Sequence, residues 1–180
     1  MQAFIVVREH LQSLAEKAFE QARRTPRDQI PVEEVERQAF VQALVEGVMP
    51  AEPIITLKHL EIDADENTWT LTLVYQVEHG ELLQYRSNEL QNLELEFRPG
   101  EMSSSFSMRK RQADLKNYVE AQKNLVQKYV LSVAQARQTV IAQLVLDVRK
   151  LLSYREHALT AAAEVLADFG VGVFLKSPQT

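Results

Sequence analysis

The sequence predicts an α+β protein: two N-terminal helices, a four- to five-stranded antiparallel meander, and a long C-terminal amphipathic helix. Three observations carry this. Apolar residues recur at helical spacing over the first 50 positions. From Pro53 to Arg111 the period falls to two, as in strands with one buried face. From Gln112 no glycine or proline occurs until Gly170, and helix formers dominate. The chain of 180 residues is read as one domain: a helical part over 1–50, a sheet over 53–111, a helix over 112–169 and a tail over 170–180.

The first helix carries Phe4, Val7, Leu11, Leu14, Ala18 and Phe19 on one side. It stops near Arg23 and Arg24, where a basic pair suits a helix C-terminus. The second is expected to begin at Pro31, with Glu33 and Glu34 favourable in its first turn. Val32, Val35, Ala39, Phe40, Ala43, Leu44 and Val48 form its stripe, and Pro50 and Pro53 end it.

The strands follow. "PIITLKHLEID" leads through the polar turn "ADEN" into "TWTLTLVYQV". There Trp69, Leu71, Leu73, Tyr75 and Val77 share one face, and Thr68, Thr70, Thr72 and Gln76 the other. "EHGE" is a tight turn at Gly80. "LLQYRS" reads as a weaker strand. "LELEF" alternates again before "RPGE" turns the chain.

"MSSSFSMRKRQ" resembles a phosphate grip, but its register argues otherwise. With Pro99 and Gly100 at the centre of a hairpin, Phe97 faces Met102 and Leu93 faces Phe106. Glu96 then faces Ser103, and Glu94 faces Ser105. Both apolar faces coincide, so the serines are the solvent side of the last strand.

In the long helix Val119, Val126, Val133 and Val140 recur every seven residues. Val130, Leu144 and Leu151 lie on the offset row. A helix of this length spans roughly 80 Å, whereas a compact domain of this size has a radius of gyration of about 16 Å. The helix must therefore break, protrude or meet another copy. Ser153–His157 is the least unfavourable place for a break. A coiled-coil seam between two chains is expected at Val119, Val126, Val130, Val133, Val140 and Leu144. Val133→Glu discriminates: it dissociates an oligomer if the seam lies between chains, and unfolds a monomer if the seam is internal core.

The chain carries a net charge of −5, unevenly spread. Between Arg109 and Arg155 ten basic residues face three acidic ones, and between Leu60 and Glu101 ten acidic residues face two basic ones. Complementary charges at a helix–sheet rim, or steered pairing between chains, explain this. Polyanion binding through Arg109, Lys110, Arg111, Lys123, Lys128 and Arg137, with Tyr118 and Tyr129 stacking on bases, ranks below them. The whole chain is acidic and no nucleic-acid fold signature is present.

Chemistry finds little support. With no cysteine there is no disulfide, thiolate metal site or cysteine nucleophile, and a reducing cytoplasm is the expected location. "REH" at Arg8–His10 and Arg155–His157 allows a two-helix His/Glu metal site, but two exposed helix histidines are the simpler reading. "DADEN" opens like a calcium loop, yet Thr68 and Val74 stand where glycine and glutamate are needed. "DFG" in the tail lacks the other kinase motifs. No phosphate loop or nucleophile elbow occurs. A signal peptide, a membrane span and a cofactor are not expected. The expectation is a non-enzymatic, cytoplasmic, self-associating interaction or adaptor module, most simply a homodimer. The alternative is an apolar-ligand cup between sheet and helix, lined by Trp69, Leu71, Tyr75, Leu95, Phe97, Phe106 and Met108.

Overall fold

The computed structural model describes residues 7–85, 94–109 and 115–168. Helix α1 spans Val7–Arg24 and helix α2 Glu34–Val48. A four-stranded antiparallel sheet follows, with β1 Ile54–Ala64, β2 Thr68–Glu78, β3 Leu95–Arg98 and β4 Glu101–Arg109. Helix α3 runs unbroken over Leu115–Asp168, with Ser153–His157 inside it. The α+β architecture is therefore the one the sequence predicts. The chain divides into two compact units, Met1–His10 with Pro50–Gln138, and Leu11–Met49 with Thr139–Thr180.

The first unit holds the sheet. Its strand order is β1-β2-β4-β3, so the sheet is not a plain meander. β4 pairs with β2 from Thr68↔Arg109 to Gln76↔Glu101, and the four-residue β3 takes the outer place. The hairpin at Pro99 and Gly100 has the expected register, Phe97↔Met102 and Glu96↔Ser103. Gly100 takes φ +76°, which a side chain rarely tolerates. Leu93, and with it the Leu93–Phe106 pairing, lies outside the described residues.

Leu82–Gln84 of the expected strand "LLQYRS" form instead part of a 3-10 turn, Gly80–Gln84; Arg86 and Ser87 lie outside the described residues. Leu82 and Leu83 explain this, because both are fully buried. Neighbours on a one-faced strand cannot both point inward, whereas neighbours on a helical turn can. The left-handed residue of the turn is His79 (φ 55°). Gly80 is needed for space: a Cβ there would stand 2.6 Å from Cγ1 of Val77.

The second unit is helical. On α1, Leu11, Ala18 and Ala22 are buried, and Val7 continues that row into the first unit. α2 starts three residues later than expected, and Val32 and Val35 are exposed rather than inward. Ala39 and Ala43 are exposed too. Its buried row is Val41 and Val45, rotated by one residue. The apolar residues come as neighbouring pairs, Phe40–Val41 and Leu44–Val45, so periodicity alone left the rotation open. Arg37 fixes it. Its guanidinium donates to the Pro31 carbonyl (3.0 Å) and makes a two-pronged pair with Glu156 at 2.8 Å on both prongs. Arg155 donates to the Ala22 carbonyl (2.6 Å) and reaches Thr25, placing positive charge at the C-terminus of α1.

Candidate interaction surface

The sheet has one apolar and one hydroxyl-rich face, and the registers assign every strand to them. Leu71, Leu73 and Tyr75 of β2 share the apolar face with Met102, Ser104, Phe106 and Met108 of β4. Helix α3 covers this part: Gln122 donates to the Ser104 hydroxyl at 2.6 Å, and Ser104 is fully buried. Ser103, Ser105 and Ser107 face the other way. The hydroxyls of Thr70 and Ser107 (3.1 Å) and of Thr72 and Ser105 (2.8 Å) pair across that second face. A shallow depression there, bounded by Thr72, Ser103, Ser105 and Arg98, is polar.

Two tyrosines mark how tightly the covered region is closed. The Tyr129 hydroxyl on α3 donates toward the Leu83 carbonyl (2.6 Å) and lies 2.8 Å from that of Tyr85. Burial pushes its pKa up to about 12. The Tyr75 hydroxyl is buried with no hydrogen-bond partner among the described residues. Burial, and after it the nearby Glu120 carboxylate, pushes it up to about 12 as well.

β1 differs. Its register with β2 shifts between Leu57 and His59, where Lys58 forms a bulge. The bulge brings Leu57 and Leu60, three residues apart, onto the same face. Ile55, Leu57, Leu60 and Ile62 all lie on the apolar side, opposite Val77, Tyr75, Leu73 and Leu71. Leu57, Leu60 and Ile62 nevertheless remain 38, 37 and 53% exposed. Among the described residues β1 pairs with β2 alone, so its other side is an open strand edge of 11 residues. Lys58, the residue type that commonly guards such an edge, is drawn inward by Glu101 of β4 at 2.5 Å. That contact holds the Glu101 carboxyl below the usual range. The opposite edge, β3, is four residues long and carries exposed Glu96 and Arg98 beside Pro99.

The residues expected at a helix seam are distributed otherwise. In the first unit Val126 and Val133 are fully buried, and Val119 and Val130 half-buried. In the second, Leu144 is buried and Val140 half-buried. Most of the row is covered within the chain itself. Of the cup residues, Leu71, Tyr75 and Met108 are buried, Trp69, Leu95 and Phe106 half-buried, and Phe97 exposed at the β3 edge.

The basic residues do not share a face. Lys128 stands about 140° around α3 from Lys123. Lys123 pairs with Glu120, and Arg137 donates to the Pro50 carbonyl. Arg109 is exposed, and Lys110 and Arg111 lie outside the described residues. Tyr118 and Tyr129 fall on one side of the helix, but Tyr129 is buried. Nor do the histidines assemble a metal site. His10 stacks on Tyr85 (4.1 Å between ring centroids), His157 is exposed and Glu156 is held by Arg37. Among the described residues no three His, Asp or Glu side chains could hold a metal ion. "DADEN" is a hairpin turn, its Asp65 accepting from the Glu66 amide at 2.7 Å. The "DFG" segment, apart from Asp168, lies outside the described residues. None of the described helices is long and apolar enough to cross a membrane.

The open edge of β1 had a sequence signal that periodicity alone did not deliver: the phase break in "ITLKHLEI" between Leu57 and Leu60. No family model, curated protein or solved structure matches this chain.

Proposed function

We propose that the protein is a non-enzymatic interaction module that works by self-association, and that its contact surface is the open edge of the sheet at β1. The observation that carries this is the exposure of Leu57, Leu60 and Ile62 beside an 11-residue strand edge that has no partner among the described residues. An edge of this kind is a template for a further strand, because its outward amides and carbonyls have no strand partner among the described residues. The strand offered to it also sets its own same-face side chains beside the three apolar ones and removes part of their surface from water. Burying them stabilises the assembly at roughly 25 cal/mol per Å² of apolar surface, before the cost of association.

Light scattering on a sizing column tests the reading, with the wild type and Ile62→Lys measured at low and moderate salt. The expected result is a wild-type mass above that of one chain and a single-chain mass for the variant. A single-chain mass for the wild type at every concentration contradicts it.

A further inference from the structure

Within the edge reading, on which this inference rests, the geometry points to one arrangement: a second copy of this chain adds its β1 antiparallel to the first, centred on Leu60. The two four-stranded sheets join into one of eight strands, within the usual range.

The order of side chains along "LKHLEID" selects this pairing. On the hydroxyl-rich face the strand is basic first and acidic after, with His59 and then Glu61 and Asp63. His59 and Glu61 already touch within one chain at 2.9 Å. A strand with its charges segregated in this way complements an antiparallel copy of itself. With Leu60 opposite Leu60, His59 of each copy faces Glu61 of the other, twice over. On the apolar face the two Leu60 side chains meet, and each Ile62 approaches the Leu57–Lys58 bulge across the seam.

Neighbouring registers match less well. Centring on Glu61 sets His59 against Asp63 twice but Glu61 against itself, and centring on His59 sets the imidazoles together with no acid opposite them. A symmetric pairing also uses the same patch on both copies, so it closes at two chains. β3, short and charged, offers no comparable edge for growth. Because the bulge at Lys58 lies opposite Ile62, the straight part of the seam is His59–Glu61 of each copy.

The test uses Leu60→Cys, clean because the chain has no other cysteine, oxidised with diamide. It is expected to form a disulfide-linked pair of chains, whereas Ile54→Cys, beyond the bulge, is not. Beside it, His59→Glu alone weakens the dimer about tenfold, from two repulsive cross-strand pairs. Adding Glu61→Lys to that variant restores the wild-type dissociation constant. A dimer that Ile62→Lys splits, but in which Leu60→Cys does not cross-link and the charge reversal does not restore affinity, overturns this register and leaves the edge reading standing. A wild type of single-chain mass overturns both.

Discussion

β1 and β2 are neighbours of equal length, and both place apolar side chains on the same face of the sheet. Leu71, Leu73 and Tyr75 of β2 are buried, whereas Leu57, Leu60 and Ile62 of β1 stand partly in water. The alternation is therefore not what separates them. Among the described residues β2 lies between two strands and β1 beside one. An apolar face written into a strand that the described residues leave partly open invites a cover from elsewhere. The contrast separates residues that hold the fold from residues free to hold a partner.

The sharpest way to break that contrast is to change the covered side. Val133→Glu places a charge at a fully buried position and is expected to cost roughly 3 kcal/mol or more. Thermal denaturation checks it: loss of the cooperative transition is expected, and a folded single chain released from an oligomer would return α3 to the role of seam.

Tyr129→Phe removes the hydroxyl that serves the Leu83 and Tyr85 carbonyls, an expected loss of about 1–3 kcal/mol in urea unfolding. Tyr75→Phe removes a buried hydroxyl with no described partner, so the same measurement is expected to show no loss or a small gain. Both tyrosines set the alkaline limit. Their pKa values rise from 10.0 to about 12 in the folded chain. Below pH 10 neither state loses these protons. Above it the unfolded chain ionises first, so stability falls as pH rises from about 10 to 12. Tyr129→Phe is expected to flatten that decline.

On the open side, Ile62→Lys is expected to remove self-association and, at concentrations low enough for the wild type to be a single chain, to leave unfolding stability within about 0.5 kcal/mol of it. The smallest effect lies at Lys58. Lys58→Met is expected to let the Glu101 carboxyl rise toward its ordinary range, read by NMR titration.

Much of the fold was legible in residue patterns because one-faced elements write their burial into their period. The alternation of "TWTLTLVYQV" and the Phe97–Met102 register are cases in point. Where apolar residues came as adjacent pairs, the pattern was ambiguous. Phe40–Val41 left the rotation of α2 open, and Leu82–Leu83 were read as a strand although only a helical turn buries both. The order β1-β2-β4-β3 was not legible, because it depends on which long strand pairs most fully with β2. The candidate surface was hidden for a related reason. The bulge at Lys58 breaks the alternation of β1, so its apolar face does not show at period two. The heptad row of valines on α3 was plain, but a row alone does not say whether its cover comes from the same chain or another.

Hydrogen–deuterium exchange at low and high protein concentration, read strand by strand, shows whether the β1 edge is where copies meet. The outward-facing amides of β1 are expected to slow as concentration rises, while those of β3 and of α3 stay as they were. Exchange in β1 that is equally fast at every concentration, or slowing confined to α3, would contradict the edge reading.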